Sequence, residues 1–357
     1  MSISFNIKKK DINFKKKCIL CKGQNLKKIS EIFYKNSFIF FSTSLCKKCG
    51  FVFRNKHPSN NWFKKQYTLR SKFQFNQNLG INRSYEKFRL KRYKKLLEFL
   101  EKKINFKSVI DIGCATGIGL KAFEKKNYNT LGIDTDKTRI NYGKKNNLNL
   151  IHSDIFKFSK NNKFDLILCL HTLEHFTDPN RAIKKITKFM KSNSYIYIEV
   201  PDFKNLVRTW DDSVYLAHIS NFSEKNLIYF LKQNNLKPLY RTYPQTENGE
   251  VNLGILCKKH TYSKIFQDFK IPNIRNYKLI GNKNRLKIPY KINLDLINDI
   301  SFSFKVKRNK GSSLDTNFKR KLIFNKLNNK YEISKDVVYF KIKKLKFFKN
   351  IKYKKIT

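Results

Sequence analysis

Four cysteines stand in two C-x-x-C pairs, Cys18 with Cys21 and Cys46 with Cys49, separated by 24 residues, with Gly23 and Gly50 close behind the pairs. Two such knuckles can set four thiolates at the corners of a tetrahedron, the preferred geometry of structural Zn2+, and four protein ligands leave no open position for catalysis. Lys22, Lys47 and Lys48 lie beside them and would help keep the thiolates ionised. Unrelated or redox-active cysteines are the alternative. The other three cysteines, Cys114, Cys169 and Cys257, lie in apolar segments, as small buried residues do, and no disulfide is required.

Three carboxylates form a second pattern. Asp111 ends the apolar run SVIDI and is followed by Gly113, Cys114, Gly117 and Gly119. Asp134 follows 23 residues later in GIDTD, and Asp154 with Ile155 stands in HSDIF. Glycines after a strand let the backbone approach a ligand closely, and the carboxyl end of the first strand is where open α/β sheets bind nucleotides. The dinucleotide fingerprint G-x-G-x-x-G would hold a pyrophosphate. Here the loop reads D-x-G-x-x-x-G-x-G, and an acidic mouth would repel a pyrophosphate yet accept a cationic amino group, which points to a methionine-bearing nucleoside. Asp134 is placed to take ribose hydroxyls, Asp154 the adenine amine, and Ile155 to offer its N-H and an apolar face. Any one of these aspartates could merely cap a helix; three at successive strand ends make that reading weaker.

The third pattern is HTLEH, with His171, Glu174 and His175 on one face if the segment makes a helical turn. A histidine beside a carboxylate suits proton abstraction near neutral pH, so His175 or Glu174 is expected as a base, with His171 lining an acceptor pocket. H-x-x-E-H also matches a zinc peptidase pattern, but that needs a longer helix and a further ligand, and Thr177, Asp178 and Pro179 break the segment. His175 could instead pack under the helix that follows.

The elements that must position these residues alternate strand and helix. The pattern predicts strands at 108–113, 130–134, 148–152, 164–170, 195–200, 239–243 and 252–257, the last two joined by an Asn248-Gly249 turn. Helices are expected from Gly119, over 137–147, over 179–191 with Pro179 at the start, and from a Ser223 cap to about Asn234. Such alternation implies a mostly parallel, Rossmann-like α/β sheet of seven strands with right-handed crossovers and an antiparallel edge. Four regions follow: a zinc ribbon at 14–56, a helical linker or lid at 57–105, the α/β domain at 106–258, and a small β-rich C-terminal extension at 259–357.

The chain has 357 residues and a formal charge of +51, from 77 basic and 26 acidic residues, taken at face value the mark of a nucleic-acid binder. Lysine outnumbers arginine 64 to 13 and is spread over the whole chain, whereas a phosphate-reading surface concentrates arginine on one face. The charge therefore favours anionic partners in general, nucleotide-sugars as much as RNA. No apolar run is long enough to span a membrane and the N-terminus lacks an apolar signal core, so a cytoplasmic location is expected.

The segments VIDIGCATG, GIDTD, HSDIF, FDLILCLHTLEHFTDP and YIEVPD, in that order, resemble the class I S-adenosylmethionine-dependent methyltransferases. The resemblance covers about 108–258 and implies that Asp111, Gly113 and Gly117, with Cys114 in the same loop, hold the methionine part, Asp134 the ribose, and Asp154 with Ile155 the adenine. A four-cysteine module directly before such a domain resembles sugar C-methyltransferases and related enzymes of surface-polysaccharide synthesis. That resemblance implies a lid over the acceptor, with Arg83, Tyr85 and Tyr67 contributing, and marks His218 as a further substrate-site candidate. The expected function is methyl transfer to a small molecule such as a nucleotide-linked sugar. The alternatives are a zinc-ribbon RNA methyltransferase, against which no N-P-P-Y motif or paired catalytic cysteine is found, and an inactive zinc-stabilised binding protein.

Overall fold

The computed structural model describes residues 9–34, 38–65, 67–68, 83–159, 163–203, 218–244 and 251–262, and short strands at 291–293, 321–324, 332–337 and 353–355. Its main sheet is built from β5 (Ser108–Ile112), β6 (Asn129–Asp134), β7 (Leu150–His152), β8 (Phe164–Leu170), β9 (Met190–Pro201), β11 (Leu236–Thr242) and β12 (Asn252–Lys259). The order is β11-β12-β9-β8-β5-β6-β7, and β16 (Tyr353–Lys355) adds an eighth strand beyond β11. The pairs from β7 to β9 are parallel, and β12 runs antiparallel to both β9 and β11. This is the Rossmann-like sheet the alternation implies. The chain leaves β7 and re-enters on the other side of β5, which puts the topological switch point at the carboxyl ends of β5 and β8.

Strand β8 shows why the sheet is covered on both faces. Leu166, Leu168 and Leu170 pack with Tyr93, Leu96, Leu97 and Leu100 of the long helix Arg83–Glu101, whereas Ile167 and Cys169 belong to the opposite core with Ile183, Leu227 and Phe230. Successive side chains of a strand point to opposite faces, so a continuous apolar run fits only a doubly covered strand.

A second sheet, in the order β1-β4-β3-β2, carries the cysteines, with β1 (Ile12–Phe14), β2 (Leu26–Tyr34), β3 (Phe38–Cys46) and β4 (Val52–Pro58). β4 also pairs with β10 (Ser220–Asn221), a short strand that follows β9 in the chain, and β13 (Lys291–Asn293) pairs with β2. Cys18, Leu20, Phe51 and Phe53 share one buried cluster with Phe222, Leu227 and Phe230, so the cysteine module and the main sheet have a common core. β14 (Lys321–Phe324) and β15 (Glu332–Val337) pair antiparallel in a two-stranded sheet of their own.

Some boundaries differ from the expected ones. The helix at Pro179 ends at Ile186, passes through a 3-10 turn at Thr187–Phe189, and Lys191 already belongs to β9. The 57–105 region begins inside β4, which runs to Pro58. The Asn248-Gly249 turn lies outside the described residues. No helix among the described residues is long and apolar enough to cross a membrane.

Candidate active site

The loop after β5 is held by its own backbone. Gly113 (φ 78°) and Gly117 (φ 70°) both adopt the left-handed conformation. A Cβ on Gly113 would stand 2.2 Å from Thr172 Oγ1, so the space beside the β8 loop requires glycine. Asp111 is buried at the end of β5 and accepts a hydrogen bond from the Tyr93 hydroxyl at 2.8 Å, while its Oδ1 has no partner among the described residues. Burial pushes its carboxyl up to about 6, against the pull of the Arg89 guanidinium.

Asp134 sits at the end of β6, partly buried. Each oxygen accepts one backbone N-H at 2.8 Å, Oδ2 from Ala115 and Oδ1 from Asp136. Burial raises this carboxyl too, with the two N-H donors pulling the other way. Asp154 accepts the Phe156 N-H at 2.9 Å on Oδ1 and pairs with Lys64 through Oδ2. Burial alone would raise the Asp154 carboxyl, but the Lys64 ammonium outweighs it and the net shift is downward. Ile155 is buried beside it.

Cys114 turns away from this row. Its thiol is buried in a cluster with Leu120, Ile140, Leu148 and Leu150, and its carbonyl accepts Arg89 Nη2 at 3.2 Å. The side chain fills the loop's core, so any contact of Cys114 with a ligand falls to its backbone.

Beyond β8 the chain turns sharply. His171 has φ 51°, unusual for a residue with a Cβ, and its N-H is tied to Glu199 O at 2.8 Å. Leu173–His175 forms a short 3-10 turn, with His171 outside it. Glu174 is 1 % exposed, with His171 Nδ1 at 3.6 Å, His175 Nε2 at 3.8 Å and His218 Nε2 at 4.0 Å, all measured to Oε1. Burial would raise its carboxyl, but the imidazoles outweigh it and hold it at about 2. His171 Nε2 also lies 3.2 Å from Glu199 Oε1, off the line a hydrogen bond needs, and Glu199 is paired with Arg92 and accepts Asn252 Nδ2 at 2.9 Å. Burial lowers the His171 ring, and the two carboxylates more than restore it, for a net rise. Burial pushes His218 down to about 3.

Besides Glu199 of β9, two more groups reach this cluster from outside the β8 loop. Tyr67 Oη stands 3.0 Å from His175 Nδ1. His218 lies just before a residue that bridges the two sheets, since the Ile219 N-H donates to Glu174 O and its carbonyl accepts the Arg54 N-H, both at 2.8 Å. The His218 ring then stacks edge-on against His175, centroids 4.9 Å apart.

With this geometry in view, the comparisons with known proteins bear on the domain built around the main sheet. Residues 85–240 match the model of a family described as "Methyltransferase domain". Over those residues the chain has a Rossmann-like methyltransferase fold. A ubiquinone biosynthesis O-methyltransferase of Coxiella burnetii is 26 % identical over 151 residues, 39 % of this chain and 64 % of the relative, so the match spans less than two thirds of that protein. A malonyl-[acyl-carrier protein] O-methyltransferase of Calditerrivibrio nitroreducens is 30 % identical over 105 residues, 29 % of this chain and 42 % of the relative. Among solved structures, a SAM-dependent methyltransferase from Archaeoglobus fulgidus aligns over 49 % of this chain and 97 % of its own, at 18 % identity and TM-score 0.42. The 1,6-didemethyltoxoflavin-N1-methyltransferase of Burkholderia thailandensis aligns over 62 % and 96 %, at 14 % identity and TM-score 0.44.

The methyltransferase domain brings Asp111, Gly113, Gly117, Asp134, Asp154 and Ile155 to one edge of its sheet, and His171, Glu174 and His175 to the neighbouring loop. His218 joins them, and so does Tyr67, whereas the side chains of Arg83 and Tyr85 lie outside the described residues. Sequence reasoning missed the Tyr93 bond to Asp111, the Lys64 pair with Asp154 and the Arg92–Glu199 pair. Tyr93 lies 18 residues and Lys64 lies 90 residues from its partner, and nothing local in the sequence signals either contact.

The four cysteines also converge. Cys18 Sγ is 3.7 Å from Cys49 Sγ and Cys21 Sγ is 3.5 Å from Cys46 Sγ, and all four sulfurs lie within 4.8 Å of one another. Left-handed Lys22 and Gly50 close the two knuckles, with Lys22 N-H to Cys18 O at 3.0 Å and Gly50 N-H to Cys46 O at 2.8 Å. Asn226 Nδ2 donates to Cys49 O and Asn180 Nδ2 to Ile19 O, both at 2.9 Å, and these bonds dock the knuckles on the methyltransferase domain.

Proposed function

We propose that the protein is an S-adenosylmethionine-dependent methyltransferase acting on a small anionic molecule, a nucleotide-linked sugar or related glycan precursor. The observation that carries this reading is the pair of aspartates flanking the glycine turn: Asp111 with a buried, unpaired Oδ1, and Asp134 with one lone pair left on each oxygen. The residues fit the cofactor. Asp111 Oδ1 is the acceptor that an ammonium group needs, the Asp134 oxygens can take two ribose hydroxyls, and Asp154 with Ile155 flanks the adenine position. Gly113 and Gly117 keep the turn clear of side chains.

When bound, the cofactor supplies a methyl carbon attached to positive sulfur, open to in-line attack by the acceptor. The chain must then orient the acceptor and take its proton. Glu174, buried and held ionised among three imidazoles, serves as a fixed counter-charge, and a histidine of the cluster, His175 or His171, receives the proton. Tyr67 and His218 line the acceptor side, and the formal charge of +51 favours an anionic acceptor.

Zinc fits the cysteines as a structural ion. Tetrahedral coordination at about 2.3 Å puts thiolates roughly 3.8 Å apart, close to the sulfur separations here. The four thiolates would hold it with no ligand position left over, fixing the module against the acceptor side of the sheet.

The test is transfer of labelled methyl from S-adenosylmethionine to a panel of nucleotide-sugars, run beside total RNA. Label in a nucleotide-sugar supports the reading. Label in RNA alone, lost as salt is raised, would replace the acceptor class with nucleic acid.

A further inference from the structure

Glu174 is the residue whose burial is hardest to explain by the fold alone. Both carboxylate oxygens are enclosed and neither has a hydrogen-bond partner among the described residues. A buried carboxylate is ordinarily satisfied by several donors, because taking an anion out of water is costly. Here three imidazole nitrogens stand 3.6 to 4.0 Å from Oε1, beyond hydrogen-bond reach.

The orientation of the rings is a second observation. Tyr67 engages His175 at Nδ1, which leaves Nε2 as the nitrogen facing Glu174. A partner on the far nitrogen is how proteins orient a ligating histidine. His218 is brought from 43 residues further along the chain than His175, presents its own Nε2 to the same oxygen, and is set by the Ile219 bridge between Glu174 O and Arg54 N. One ligand atom each from Glu174, His175 and His218 lies within 4.8 Å of the others.

We propose that Glu174, His175 and His218 form a binding site for a divalent transition-metal cation, distinct from the four-cysteine centre. Two imidazoles and one carboxylate suit Mn2+, Fe2+, Co2+ or Zn2+ better than Mg2+ or Ca2+, which prefer oxygen ligands, and three protein ligands leave coordination positions open. The inference rests on the reading of this cluster as the acceptor end of a methyltransferase site and makes it more specific. A cation there neutralises Glu174 and can hold an acceptor oxygen. With His175 occupied as a ligand, His171 is the histidine left to take the proton. The third ligand that HTLEH lacks as a sequence motif is supplied by the fold.

The experiment titrates Mn2+ alone into the full chain carrying a single zinc per molecule, following free Mn2+ by electron paramagnetic resonance, with S-adenosylhomocysteine binding measured on the same preparation. Mn2+ is chosen because thiolates favour softer ions. The expected result is one Mn2+ per chain, bound about tenfold or more weakly in Glu174→Gln and in His218→Asn, with zinc content unchanged. If Glu174→Gln does not fold, His218→Asn decides, since its ring is partly exposed. Folded wild type that leaves Mn2+ free, or variants that bind it as wild type does, overturns the proposal. Homocysteine-nucleoside binding without Mn2+ binding removes the cation site only; Mn2+ binding without the nucleoside removes the methyltransferase reading and leaves the cation site standing.

Discussion

The Tyr93 hydroxyl donates to Asp111 Oδ2 at 2.8 Å and thereby fixes which oxygen of the buried carboxylate, Oδ1, is left for a ligand. The long helix Arg83–Glu101 therefore contributes to the proposed nucleoside site as well as covering the sheet. Tyr93→Phe keeps the ring that packs on Gly119 and removes only the donor. Denaturant unfolding should show a loss of about 1–3 kcal/mol, the worth of a hydrogen bond to a charged group, and S-adenosylhomocysteine should bind more weakly. Unchanged binding would place the ligand's ammonium elsewhere.

Asp111 has a folded pKa of about 6, above its ordinary value of 3.8. An acid raised in this way is no burden below pH 4, and it lowers stability progressively as pH rises through its folded pKa, by roughly 3 kcal/mol once fully ionised. Asp111→Asn should accordingly gain stability over wild type between pH 4 and 7 while losing nucleoside binding. Wild-type binding of S-adenosylhomocysteine should weaken as pH falls below about 6. A stability difference independent of pH would show that Asp111 carries no such penalty.

Lys64 pairs with Asp154 across the expected adenine position. Its side chain is 42 % exposed, so the pair contributes well under 1 kcal/mol to stability. It nevertheless competes for Asp154 Oδ2 with any amine donor. Lys64→Met should tighten nucleoside binding a few-fold at low salt, and the effect should shrink as salt is raised. Weaker binding in calorimetry would make Lys64 a positive contributor to the site.

The cysteine module shares its core with the methyltransferase domain, so metal loss should be felt there. Chelation of zinc, or Cys18→Ser, should lower the melting temperature of the whole chain in one transition. Asn226→Ala removes the side-chain bond to Cys49 O and should cost about 1–2 kcal/mol. A separate low-temperature transition with the main one unmoved would mean that the module folds on its own.

The strands of the main sheet were legible because burial leaves a local trace: FDLILCL is apolar at both parities and becomes β8 without a shift of boundary. Pro179 and Ser223 announced helix starts for the same local reason, as N1 residue and N-cap. The end of the first of these helices was not legible, because Phe189 and Met190 continue the apolar spacing while turning into β9. In the site, the three aspartates and HTLEH could be read because each sits beside its own strand end. Tyr93, Lys64 and Glu199 act across 18, 90 and 28 residues, on Asp111, Asp154 and His171, and no periodicity encodes such partners. Cys114 shows the reverse limit: the sequence places it in the loop, but the direction of its side chain depends on Leu120 and Leu150, which pack with it.

The most direct test is calorimetric titration of the zinc-loaded chain with S-adenosylhomocysteine, wild type beside Asp134→Ala. The account predicts one site of about micromolar affinity, weakened at least about tenfold when the carboxylate that would hold the ribose is removed. No heat from well-folded wild type, or equal binding by Asp134→Ala, would contradict it.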